Sequence, residues 1–254
     1  METAVSELAN KGEVMPAFTV SLTISDKKGE KDHKSSLDYL AENDFTLYGF
    51  KAVGGAKGGK PLVWFADSQY STTNNISWVT KYSAYASPYQ PEVKVVDKYN
   101  AMSIEQGQTF RILKKQCTGE VIGDSDPAKP ITVKNAVENT EFNAGIAQQR
   151  QDLTEEFRPL CVKELAAGSG LHFTPVEKVL LIFHNQPVTE GAVITQAFSN
   201  GLLIDVTGAT KRAVSWDKGK GWLWGLDEKG NWTNKPTWAT KVTSDDEITP
   251  YLLA

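Results

Sequence analysis

The stretch Ile76-Ser-Trp-Val-Thr-Lys-Tyr-Ser-Ala-Tyr85 decides the fold class. β-Branched and aromatic residues dominate it, which favours strand over helix. Side chains alternate between the two faces of a strand. Ile76, Trp78, Thr80, Tyr82 and Ala84 therefore fall on one side, with Ser77, Val79, Lys81, Ser83 and Tyr85 on the other. The first set is the more apolar and is expected to face a core.

The same style extends in both directions. Upstream, Pro61-Leu-Val-Trp-Phe65 is a continuous apolar run that suits a strand buried on both faces. Phe45-Thr-Leu-Tyr-Gly-Phe-Lys-Ala-Val53 reads as a strand, and Phe18-Thr-Val-Ser-Leu-Thr-Ile24 alternates apolar and hydroxyl residues. Ser35 or Ser36 is placed to cap one short helix that buries Leu37 and Leu40. Downstream, residues 93–96, 101–104 and 109–113 read as short strands, the last two joined by a turn at Gln106-Gly107. Val121-Ile122 and Ile131-Thr-Val133 flank the turn cluster Gly123-Asp-Ser-Asp-Pro127. Nearer the C-terminus, 179–183, 193–198 and 202–206 are strands, with Asn200-Gly201 as a hairpin turn. Asp217-Lys-Gly-Lys220 signals a second hairpin between 213–216 and 221–224.

Lys60-Pro-Leu-Val-Trp-Phe65 and Lys178-Val-Leu-Leu-Ile-Phe183 look alike, and each is followed by a polar loop and a second strand. The expected architecture is mainly β: an antiparallel sandwich or barrel, with two pseudo-repeated lobes and one or two short helices. The lobes would span 16–122 and 159–254 with a connector at 123–158, or merge into one compact domain.

Composition narrows the function. The chain has 254 residues, 40% hydrophobic and 23% charged, so a packed core is expected. A net charge of -4 lacks the basic footprint by which nucleic-acid binders displace counterions, so no nucleic-acid partner is expected. The longest apolar run, Val179–Phe183, is far short of the roughly 20 residues that span a bilayer, so no transmembrane segment is expected. No secretory signal is visible, and the cytoplasm is the default location; secretion without a visible signal is the alternative. Two cysteines, Cys117 and Cys161, do not make a disulfide scaffold.

Catalytic motifs are sparse. Gly54-Gly-Ala-Lys-Gly-Gly59 lacks the Gly-Lys-Ser/Thr ending of a phosphate loop and reads as a hairpin loop. Of the three histidines, His172 and His184 stand 12 residues apart, which is not a metal-pair spacing. They are the first candidates if the chain is an enzyme whose site is assembled from scattered residues. No cofactor and no metal are expected.

Tryptophan is the least ordinary feature. Trp216, Trp222, Trp224, Trp232 and Trp238 crowd into one stretch among Gly, Lys, Asp, Asn and Thr. Flat apolar rings beside hydrogen-bonding groups stack on sugars and also sit well at a membrane interface. The favoured reading is a non-enzymatic binding protein, lectin-like or a β-type toxin or defence protein, whose five tryptophans meet a glycan or lipid headgroup. The alternatives are the scattered-site enzyme and a structural or assembly protein, whose edge strands would build homo-oligomers.

Overall fold

The computed structural model describes residues 17–25, 34–96, 99–151, 156–224 and 236–253. Among these residues the chain first forms β1 (Ala17–Ile24), α1 (Ser36–Glu42), β2 (Thr46–Gly54), β3 (Lys60–Pro61), β4 (Phe65–Asp67), β5 (Thr73–Pro88) and β6 (Asn100–Ile104). It continues with β7 (Thr109–Ile112), β8 (Gly119–Ile122), β9 (Ile131–Asn135), β10 (Phe142–Arg150), β11 (Phe157–Pro159) and β12 (Cys161–Leu165). It closes with β13 (Gly170–His184), β14 (Gly201–Asp205), β15 (Lys211–Asp217), β16 (Gly221–Trp224), β17 (Ala239–Val242) and α2 (Thr249–Leu252).

The strands make two curled sheets, each a half-barrel. The nine-stranded sheet runs β16-β15-β1-β5-β10-β12-β3, with β6 on β5 and β11 on β10. The eight-stranded sheet runs β17-β14-β13-β9-β7-β8, with β2 on β13 and β4 on β2. Pairing is antiparallel except at β1/β15 and β7/β9. The mainly β, sandwich- or barrel-like class expected from the alternation is the one found, with two short helices. The capping box expected at the first helix is present: Ser35 accepts from the Asp38 N–H, and the Asp38 carboxylate accepts from the Ser35 N–H.

One long strand organises each sheet. β10 lies along one edge of β5, while β1 and β6 follow each other along the opposite edge. Trp78 thus pairs with both Phe18 and Arg150, and Tyr82 with both Ile104 and Gln148. β13 is built the same way, with β2 on one edge and β9 then β14 on the other. The structural likeness between halves is therefore β5 with β13. It does not coincide with the sequence likeness, because Lys60–Phe65 is no continuous strand: β3 has two residues, Leu62 makes an isolated bridge to Val193, and β4 starts at Phe65.

Strands from 16–122, 123–158 and 159–254 share the sheets. β1 pairs with β15, β2 with β13, and β10 with β5. The main core extends from Val20 to Leu253 and includes Ile76, Trp78, Tyr82 and Ala84, the face of β5 expected to point inward. Tyr85, on the opposite face, joins a second small core with Leu62, Val93, Val96, Ala147 and Val162.

Several expected hairpins form differently. Residues 193–198 make only isolated bridges, Val193 to Leu62 and Gln196 to Glu247, so Asn200-Gly201 leads into β14 without a hairpin; β14 pairs with β13 and β17. Residues 93–96 likewise contribute only the bridge Val95–Ala192. The Gln106-Gly107 turn carries the chain from β6 in one sheet to β7 in the other. The glycine-rich 54–59 segment also crosses between sheets, from β2 to β3. The second hairpin forms as expected: Trp216 pairs with Trp222, and the Asp217 carboxylate accepts from the N–H groups of Gly219 and Lys220.

Candidate functional site

The four described tryptophans of the cluster differ in burial: Trp222 is in the core, and Trp216, Trp224 and Trp238 are half-buried. Trp222 is 3% exposed, stacks on Phe183 at 5.4 Å, and donates its indole N–H to the Asn200 carbonyl at 3.0 Å. Trp222 and Trp224 share a strand face, as their spacing requires, and that face packs on the main core. Trp216 is half-buried between Phe183 at 5.2 Å and Tyr39 at 6.3 Å. Trp224 lies beneath Lys241 Nζ at 4.9 Å, and Trp238 beneath the Arg212 guanidinium at 5.1 Å. Lys241 is on β17 and Trp224 on β16, whereas Arg212 is on β15 and Trp238 just precedes β17. These two cation–π contacts therefore lace the end of one sheet to the end of the other. Trp232 lies outside the described residues.

A pocket of about 900 Å³ opens elsewhere, where β5, β6 and β11 meet the β7–β8 connection. It falls within the range of roughly 300–1,000 Å³ that small-molecule sites occupy. Ser83 lies between its two strand partners, Ala147 of β10 and Ser103 of β6. Ser83 and Ser103 both line the pocket. Two rings wall it: Tyr99, just before β6, and Phe157, at the start of β11. The Tyr99 hydroxyl donates to the Phe157 carbonyl at 2.8 Å, and its ring lies 5.0 Å from that of Tyr85, so the wall is braced from behind. Asn100 and Gln116 add amides, and the Asn100 side chain donates to the Gln116 carbonyl. Cys117 enters the pocket in a left-handed backbone conformation, φ 61°, held by its N–H donating to Lys114 O at 3.0 Å.

Two properties set this pocket apart. Ser83 is 3% exposed, yet its hydroxyl has no hydrogen-bond partner among the described residues. Buried polar groups are nearly always paired, so a hydroxyl of this kind beside a cavity is placed to bond a water or a ligand group there. The second property is charge. Glu156 is the only formally charged residue among the described residues that line the pocket. Burial first, then the Glu156 carboxylate, push the Tyr99 phenol up, and Arg158 pulls it down.

A separate polar cluster joins the sheets. The Glu177 carboxylate accepts from Lys51 Nζ at 3.0 Å, from the Tyr82 hydroxyl at 3.2 Å, and from the Trp78 indole N–H. Lys51 and Glu177 belong to the eight-stranded sheet, and Trp78 and Tyr82 to the nine-stranded one. A register break between Pro175 and Val179 inserts extra residues into β13 where Glu177 sits. Burial holds the Lys51 ammonium below the ordinary lysine value, against the pull of Glu177.

The histidines do not converge. Both are on β13, in different stretches of it: His172 pairs with Thr132 of β9 and His184 with Thr46 of β2. His172 Nδ1 lies 3.0 Å from the Thr132 hydroxyl, and the His184 ring packs 4.5 Å from Phe198. Burial lowers the His184 pKa. Both cysteines are buried and unbridged, and burial pushes the Cys161 thiol up to about 12. Among the described residues, no three His, Cys, Asp or Glu side chains are grouped to hold a metal ion, and no helix is long and apolar enough to cross a membrane.

No family model matches the chain, and no curated protein and no solved structure matches it either. The fold and the pocket therefore carry the functional reading.

Sequence reasoning placed Ser83 on the polar side of its strand but attached no role to it. The pocket walls come from β5, β6, β11 and the β7–β8 connection, so no local motif marks them. Ser77 and Thr80 put further hydroxyls in the same strand, so nothing in the sequence singles Ser83 out.

Proposed function

We propose that this chain is a non-enzymatic glycan-binding protein, and that the glycan sits in the pocket beside Ser83. The observation that carries this reading is the buried Ser83 hydroxyl with no partner among the described residues. Around it are the features a sugar needs. The Tyr99 and Phe157 rings offer apolar faces for the C–H side of a pyranose. Ser103, Asn100 and Gln116 supply hydroxyl and amide groups that both donate and accept.

The competing reading, tryptophans meeting lipid headgroups, has less support. Trp222 is in the core, and Trp224 and Trp238 are each faced by a cation from the neighbouring sheet. The test is a glycan array followed by calorimetry on the best ligand. Ser83→Ala is expected to weaken binding by about tenfold, the effect of losing one hydrogen bond in a desolvated site. An array with no binder overturns the reading.

A further inference from the structure

The strand register around Ser83 narrows what the ligand must offer, and this inference rests on the glycan reading above. Ser83 stands directly between Ala147 of β10 and Ser103 of β6. The Ala147 side chain has no hydrogen-bonding atom, so it leaves the Ser83 hydroxyl nothing to bond on that side. On the other side Ser103 is directly opposite, and its side chain projects from the same face of the sheet. Both serines line the pocket, Ser83 buried and Ser103 exposed. The two hydroxyls nevertheless do not bond each other, since Ser83 Oγ has no partner among the described residues.

The Cβ atoms of directly opposed strand residues stand roughly 4.5–5.5 Å apart. A bond between two hydroxyls is about 2.7–2.8 Å long. Spacing of this order is too wide for one direct bond and matches two bonds made through a single shared oxygen. That oxygen must donate to one serine and accept from the other, which a hydroxyl does. The aromatic walls belong to the same face. Tyr85, two residues on from Ser83, packs against Tyr99 at 5.0 Å, and Phe157 pairs with Gln149, two residues on from Ala147.

We infer that one hydroxyl of a hexose bridges Ser83 and Ser103, and that this cross-strand serine pair selects the ligand. A deoxy sugar lacking that hydroxyl forfeits both bonds. The experiment is calorimetry on the full chain with the methyl glycosides of glucose, galactose and mannose, then with each monodeoxy form of the tightest binder. One monodeoxy form is expected to bind at least about tenfold more weakly than its parent. Ser83→Ala is expected to weaken the parent glycoside by about tenfold and Ser103→Ala by at least about threefold. Neither substitution is expected to weaken that deoxy form by more than about twofold, because the contact is already gone.

Loss of affinity in Ser83→Ala with none in Ser103→Ala overturns the bridge and leaves the glycan reading standing. Equal binding of every monodeoxy form does the same and puts a water between the serines. Serine substitutions that weaken the deoxy form as much as its parent also overturn the bridge. Binding by none of the three glycosides overturns it too, and the glycan array then decides the reading beneath it: a binder keeps that reading, and an empty array removes it. Thermal unfolding of Ser103→Ala, expected to match the parent chain because Ser103 is exposed, separates lost recognition from lost structure.

Discussion

Lys51 Nζ lies 3.0 Å from Glu177 Oε2, and Lys51 is 1% exposed. The pair belongs to one sheet, yet the carboxylate is completed by Trp78 and Tyr82 of the other. A buried ion pair is weak evidence of net stability, but removing one partner strands the other charge. Glu177→Ala is therefore expected to cost about 3–5 kcal/mol. Replacing both charges, Lys51→Met with Glu177→Gln, is expected to recover most of that loss. Urea midpoints of the three chains check this, and a double variant no better than Glu177→Ala contradicts it.

Tyrosine ionisation gives a second prediction. Burial first, and then Glu177, hold the Tyr82 phenol far above its ordinary value; burial does the same to Tyr85, and Tyr70 is pushed up to about 12. A phenol whose folded pKa exceeds its unfolded one adds stability that is fully present below about pH 10 and is lost as pH rises above it. Lys51 acts in the opposite sense, gaining as pH climbs toward 10.5, but it is one group against three. Spectrophotometric titration at pH 11 is expected to show at least two fewer ionised tyrosines in the native chain than in urea, and the urea midpoint is expected to fall between pH 10 and 11.5. Equal ionisation in both states contradicts the packing described.

Gly145 pairs with Tyr85 across β10 and β5. A Cβ there would lie 2.0 Å from the Cys161 carbonyl oxygen and 2.8 Å from the Tyr85 ring, so both a backbone and an aromatic ring must move. Gly145→Ala is expected to destabilise by about 1–3 kcal/mol through overpacking. Thermal unfolding measures it, and an unchanged midpoint contradicts the close approach.

The tryptophans should separate by role. Trp222→Ala removes a core ring and its hydrogen bond and is expected to cost about 3–5 kcal/mol. A double-mutant cycle between Trp224 and Lys241 is expected to return only about 0.5–1 kcal/mol, the worth of a partly exposed cation–π contact. A coupling near zero contradicts the lacing of the two sheet ends.

What could be read before the structure follows from how far each signal travels along the chain. The inward face of β5 and the β15–β16 hairpin are local patterns, set by alternation and by the turn at Asp217–Lys220, and both were legible. Residues 193–198 have a strand's composition, but they make only isolated bridges, Val193 to Leu62 and Gln196 to Glu247. The parallel pairing of β1 with β15 joins residues nearly 200 positions apart, which no local pattern encodes. The tryptophan cluster was legible as a cluster; the burial of Trp222 was not, because Phe183 and Asn200, which hold it, are distant in sequence. The pocket was illegible for the same reason, being assembled from four separate segments.

Ser83→Ala tests the central claim most directly, because it separates function from folding. A buried hydroxyl with no partner costs stability, so its removal is expected to leave the thermal midpoint unchanged or raise it, while sugar affinity measured by calorimetry falls by about tenfold. A variant that melts markedly earlier, or one that binds as well as the parent chain, would contradict the assignment of this pocket as the binding site.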